Sequence, residues 1–184
     1  MIVMKMFTKR GVSPIIATVL LVILTLVAVG ILAAFVIPFV NDSFKNSKEC
    51  FDVLDKVKFD GDSLYNCYAY NDTGRTVGRT GFSVRMDTDQ ALAFKVTFTA
   101  SGRGDTKTVE NGTTLDTIRM LDKDFNTALE VPFKGGVRTY VANGAYERVE
   151  LAPVLKSGDV CDTRASITVA ECADPVIVTG LTKY

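Results

Sequence analysis

The chain has no histidine in its 184 residues. That removes the commonest general base and the Ser–His and Cys–His nucleophile pairs. It also lacks a glycine-rich phosphate loop of the Walker or dinucleotide type, and any internal repeat or low-complexity tract. The CxxC knuckles that four-thiolate metal sites use are missing too. Neither sign of charge is in excess, with 21 basic and 21 acidic residues, so nothing invites nucleic acid. These absences argue against an enzyme, a resident cofactor and a metal centre. The acidic pairs Asp60 and Asp62, Asp87 and Asp89, and Asp122 and Asp124 have the Asp-x-Asp form that can help hold calcium, but such pairs are ordinarily solvated turn residues.

Charge is absent altogether from residues 12–40, VSPIIATVLLVILTLVAVGILAAFVIPFV. A helix needs about 20 predominantly apolar residues to cross a bilayer, and this run exceeds that. It is also about twice the apolar core of roughly 7–15 residues found in a secretory signal peptide, so it is expected to stay on the protein. Lys5, Lys9 and Arg10 precede the run and Asp42 is the first charge after it. The bias of Lys and Arg toward the cytoplasm then places the short N-terminus inside and everything beyond residue 40 outside.

The residues at this junction, KRG at Lys9, Arg10 and Gly11 followed by VSPIIATVLLV, resemble the class III signal peptide and N-terminal helix of archaeal type IV pilins, which share their export logic with archaellins. The resemblance implies that a membrane-embedded prepilin peptidase cuts between Gly11 and Val12 on the cytoplasmic side. The apolar segment then remains on the mature subunit. Removing residues 1–11 would take away three positive charges and leave a slightly acidic protein. The chain departs from the bacterial pilin pattern at the fifth mature position, where Ile16 stands instead of Glu, so no docking through that carboxylate is available.

At 1.5 Å per residue, residues 15–40 form a helix of about 39 Å, which tilt can fit to a hydrocarbon core of roughly 30 Å. Pro14 falls near the first turn, where a missing N–H costs nothing, and Pro38 is expected to end or kink the helix. Gly30, Ala33 and Ala34 form a small-residue patch at helical spacing, which lets helix backbones approach closely. Transmembrane helices are also rich in Gly and Ala for no particular partner.

Beyond residue 40 a polar connector is expected over residues 41–50, and then strands. In residues 91–100, ALAFKVTFTA, strict alternation puts Leu92, Phe94, Val96, Phe98 and Ala100 on one face. Further strands are predicted over residues 53–59, 64–70, 82–86, 115–121, 137–141, 149–155, 165–169 and 176–179. Asp60-Gly61, Ser101-Gly102, Asn111-Gly112, Gly135-Gly136, Asn143-Gly144 and Ser157-Gly158 supply turns between them. The expected fold class is therefore α+β: a long N-terminal hydrophobic helix followed by a mainly antiparallel, β-sandwich-like head over residues 41–184.

All four cysteines, Cys50, Cys67, Cys161 and Cys172, fall in the portion expected outside, where two disulfides are the default. Of three pairings we expect the local ones, Cys50 with Cys67 and Cys161 with Cys172, each stabilising the head by about 3 kcal/mol in the chain-entropy model. Asn41, Asn71 and Asn111 open Asn-x-Ser/Thr sequons, predicted in loops or turns, and are candidate glycosylation sites; Asn41 abuts the helix, where a glycan would be crowded. The tripeptide Arg103-Gly104-Asp105 resembles an integrin motif, yet a turn explains it. Tyr65, Tyr68 and Tyr70 flank Cys67, with Tyr68 and Tyr70 on one face and Tyr65 on the other, as core packing would have it.

The resulting expectation is a structural subunit of an extracellular pilus-like filament, a helical homopolymer handled by prepilin peptidase and the assembly machinery and serving adhesion or contact with surface or cell ligands. The precursor would lie in the plasma membrane with its N-terminus cytoplasmic. Two rivals share the N-terminal logic: a membrane-anchored binding module with a β head, and an archaellin, although VSPII after KRG leans toward the pilin.

Overall fold

The computed structural model describes residues 14–162 and 165–183. The cleavage site expected at Lys9, Arg10, Gly11 and Val12 lies outside the described residues. The chain divides into two compact units, Met1–Lys45 and Asn46–Tyr184.

Nothing in the sequence between Pro38 and Gly61 is a glycine or proline, and the first helix, α1, runs over Pro14–Val53. Pro38 sits inside it and removes one backbone donor without ending it. The connector expected over residues 41–50 is therefore helical, which also puts Asn41 on a helix rather than in a loop. Val53, the last residue of α1, is fully buried against Leu155 and Cys161, with Cys50 beside them.

The strands are β1 (Val57–Phe59), β2 (Cys67–Tyr70), β3 (Gly78–Met86), β4 (Ala91–Ala100), β5 (Arg103–Glu110), β6 (Ile118–Met120), β7 (Gly136–Asn143), β8 (Arg148–Leu155), β9 (Ala165–Thr168) and β10 (Ala170–Glu171). One sheet has the order β10-β2-β3-β7-β6, with β1 paired to the second half of β3. The other has the order β5-β4-β8-β9. All pairings are antiparallel except β10 with β2, which is parallel. The inward faces of both sheets share one apolar core, in which Phe82, Val84 and Met86 of β3 and Tyr140 of β7 meet Phe94, Val96 and Phe98 of β4. Phe82 packs edge-on to Phe98 with ring centroids 5.5 Å apart, and Phe94 packs edge-on to Tyr140 at the same separation. The sandwich-like α+β head is thus as the alternation implied.

Leu92 departs from that alternation. A register shift between Ala91 and Ala93 inserts one extra residue, so both alanines are buried and Leu92 is exposed. Ser101 and Gly102 both have positive φ, at 49° and 78°, the combination that a two-residue hairpin turn needs. Arg103, Gly104 and Asp105 consequently open β5 rather than lying in the turn, paired with Ala100, Thr99 and Phe98. As the edge strand of its sheet β5 is mostly exposed, which hid it from a search for alternating hydrophobics.

Residues 176–179, expected as a strand, belong to a second helix, α2 (Pro175–Thr182). The β-branched run Val176-Ile177-Val178-Thr179 favours a strand, but the helix start overrides it: Asp174 caps the first turn by accepting from Val176 N at 2.8 Å, and Pro175 occupies the first turn. Ile177 and Leu181 are buried against Cys67, Ala69 and Val141 on the outer face of the first sheet. Gly81 makes that docking possible, since a Cβ there would lie 2.3 Å from Tyr65 O and 2.7 Å from Leu181 Cδ2. The fully buried Arg119 of β6 completes the seat, donating from Nη2 to Leu181 O at 2.7 Å and from Nη1 to Leu121 O at 2.7 Å.

Candidate functional site

The feature with the clearest chemistry is the apolar part of α1. Residues Pro14–Asn41, with mean hydropathy 3.1, are long and apolar enough to cross a membrane, and none of the most apolar window is buried in the protein. Eighteen large apolar side chains between Ile15 and Val40 are exposed, and they occupy every side of the helix. A helix apolar all round belongs in a bilayer or inside a bundle, not against water. Burying each such side chain is worth about 1.5–3 kcal/mol, so the stretch as a whole demands a non-aqueous environment. Its few polar groups make no contrary demand: Thr18 Oγ1 donates to Ile15 O at 2.9 Å and Thr25 Oγ1 to Val22 O at 2.8 Å. Gly30 is open, with nothing within 4 Å of where its Cβ would be, next to the small side chains of Ala33 and Ala34.

The cysteines form two disulfides, but not the local pairs expected. Cys50 bonds Cys161 and Cys67 bonds Cys172, with Cα–Cα distances of 5.5 Å and 5.1 Å. Local pairing supposes that each pair of cysteines joins neighbouring strands. The chain between Cys161 and Cys172 instead leaves β9 in one sheet and enters β10 in the other. Ala170 of β10 lies opposite Cys67, which brings Cys172 to that end of β2, where its N–H donates to Tyr68 O at 2.9 Å. Cys161, placed by its N–H donating to Pro153 O at 3.0 Å, meets the last turns of α1. Sequence separations of 111 and 105 raise the chain-entropy contribution of each bridge taken alone to about 4.7 kcal/mol.

Asn71 and Asn111 are exposed in turns, as expected of sequons. Asn111 Oδ1 accepts from Val131 N at 2.7 Å, while Asn71 opens a loop organised by Asp72. The Asp72 carboxylate accepts from the Thr76 hydroxyl and from Thr76 N and Val77 N at 2.9 and 3.1 Å. These bonds, the Thr76 hydroxyl foremost, hold its pKa below the ordinary carboxylate value. A concavity of about 280 Å³ lies beside this loop, lined by Tyr70, Asp72, Arg75, Glu171 and Val178 among others. Its polar groups are turned on one another: Arg75 pairs with Glu171 and sits 4.8 Å from the Tyr70 ring centroid, and Asp72 is spent on the loop backbone. Tyr70 meets Tyr68 edge-on at 5.9 Å, Tyr68 packs on the sandwich core, and Tyr65 packs on the α2 side, so the tyrosines divide between faces as the alternation implied.

Of the acidic pairs, Asp60 is engaged by Arg85 Nη2 at 2.9 Å, and Asp62, Asp89, Asp122 and Asp124 are exposed. Among the described residues no three His, Cys, Asp or Glu side chains converge to hold a metal ion. Asp105 of the integrin-like tripeptide pairs with Lys107 Nζ at 3.3 Å along β5.

No family model matches this chain, and no curated protein matches it. The apolar helix, with a disulfide-stapled β head after it, is what a functional reading has to stand on. Arg119, Gly81 and the Asp174-Pro175 cap escaped the sequence reading; only the last carried a legible signal, since Asp before Pro marks a helix start.

Proposed function

We propose that the chain is the structural subunit of a type IV pilus-like extracellular filament, exported with its N-terminus cytoplasmic and processed between Gly11 and Val12 by a prepilin peptidase. The observation that carries this reading is the all-round apolar helix Pro14–Asn41, none of whose most apolar window the protein itself covers. Lipid covers it before assembly and the same helix of neighbouring subunits covers it afterwards. Gly30, Ala33 and Ala34 allow close helix approach in that bundle. The head, with two disulfides and glycans at Asn71 and Asn111, forms the outer surface and serves adhesion or surface contact; its role is structural, not catalytic. An anchored binding module would need polar groups held out for a ligand, whereas the concavity beside Asp72 has its charges engaged internally.

The test is intact-mass and N-terminal analysis of material sheared from the cell surface, beside the membrane fraction. Sheared filaments whose subunits begin at Val12 are expected. An uncut chain beginning at Met1 and found only in membranes overturns the proposal. Gly30→Leu sharpens it, because the subunit has room for the side chain: filament yield should fall while the head keeps its stability.

A further inference from the structure

The two disulfides interleave: Cys67 lies between Cys50 and Cys161 in sequence, and Cys161 lies between Cys67 and Cys172. We infer that they act together as a retention lock, such that no single break in the backbone between Cys50 and Cys172 separates the head from its helix. A cut between Cys50 and Cys67 leaves Cys50 on the helix side bonded to Cys161 on the other. A cut between Cys67 and Cys161 is spanned by both bridges. A cut between Cys161 and Cys172 is spanned by Cys67–Cys172. The local pairing expected from the sequence would have had the opposite property, since one cut anywhere between Cys67 and Cys161 would release most of the head.

The same connectivity limits extension under a pull applied between α1 and α2. The covalent route from α1 to α2 passes from Cys50 to Cys161 directly, which takes the 111 residues of that separation out of the load path. At about 3.3–3.6 Å per extended residue, roughly 370–400 Å of chain stays slack however completely the sheets unfold. Each bridge has a buried member, Cys161 at 1% exposure and Cys67 at 8%, which limits attack by an external thiol while the fold is intact. The lock is a property of the subunit alone. Its use, keeping heads on a filament exposed to proteases and to tension, rests on the filament reading.

The experiment places a sequence-specific protease site in the full-length chain at three exposed positions, one per variant: between Gly61 and Asp62, between Ser101 and Gly102, and after Asp162. Each purified protein is cut and run with and without reductant. All three should migrate as one covalent species without reductant and as two fragments with it. Release of a fragment from the Ser101–Gly102 variant without reductant would overturn the lock. In the background Cys50→Ser with Cys161→Ser, only the Gly61–Asp62 cut should release the head. In the background Cys67→Ser with Cys172→Ser, only the cut after Asp162 should release a piece, the C-terminal one. Any other pattern contradicts the interleaved pairing. Should an insertion prevent folding, limited trypsin digestion of the unaltered chain, stopped at single cuts and with each cut mapped by mass, gives the same comparison: chains nicked once between Cys50 and Cys172 should stay undivided without reductant, and a once-nicked chain that separates there overturns the lock. Neither readout depends on polymerisation, so the lock and the filament reading fail separately.

Discussion

The apolar helix and the β head solve the problem of water in opposite ways. The head buries its large side chains within itself, Phe82, Phe94, Phe98 and Tyr140 against one another, and hydrogen-bonds the guanidinium of the fully buried Arg119 to Leu181 O. The helix satisfies most of its interior backbone groups by its own hydrogen bonds, yet leaves its hydrophobic side chains on every side for something else to cover. A protein in which one unit is complete and the other is not carries its dependence on surroundings in one place. Changes to the head should therefore register as stability, and changes to the helix as association.

The largest expected effect pits like truncations against each other. Phe82→Ala should lower the head's unfolding free energy by about 3–5 kcal/mol in a urea titration, whereas Val27→Ala in the exposed helix should leave it within about 0.5 kcal/mol. Equal losses would mean that the two units are one cooperative structure. Next comes Gly81→Ala, whose Cβ meets backbone at Tyr65 O; a loss of about 1–3 kcal/mol is expected, with increased proteolysis of α2 at Val178 and beyond.

Smaller still is Tyr140→Phe, which should cost about 1 kcal/mol at pH 7 by leaving Glu130 O without the hydroxyl that donates to it at 2.6 Å. Burial pushes the Tyr140 phenol well above its ordinary value of 10.0. A group raised in the folded state contributes stability fully present below its unfolded pKa and lost as pH rises toward the folded one. The parent should thus weaken from pH 10 upward more steeply than the variant, read as urea midpoints at pH 7 and 10.5. The smallest effect is local: the depressed Asp72 pKa means its contribution is present above 3.8 and lost as pH falls through the lower folded value. Amide protection of Thr76 and Val77 should drop between pH 6 and pH 3, and Asp72→Ala, which removes the acceptor, should already lack it at pH 6.

What the sequence disclosed divides along the same line. The helix was legible almost whole, because an uncharged run of such length has one physical meaning, although its extension through Pro38 to Val53 was not. Strands with one face on the core, such as β4 and β8, announced themselves by period-two alternation. The exposed β5 could not, since an edge strand with hydrophilic residues on both faces looks like loop. The disulfide pairing was hidden for a different reason: it follows from a crossover between sheets, which no local pattern encodes. The start of α2 was written in Asp174-Pro175 but outweighed by the β-branched residues after it. Arg119 and Gly81 matter through what other elements bring to them, Leu181 and Tyr65, and no window of sequence contains both partners.

The edge position of β5 has one more consequence. Asp105 and Lys107 pair with Phe98 and Val96 and so share their inward side, at the rim of the sandwich. A second strand adding to this edge would have to take those two charges out of water beneath it, which an open, eight-residue edge otherwise invites. Along this edge the molecule thus carries its own guard against the open-ended strand addition that builds amyloid.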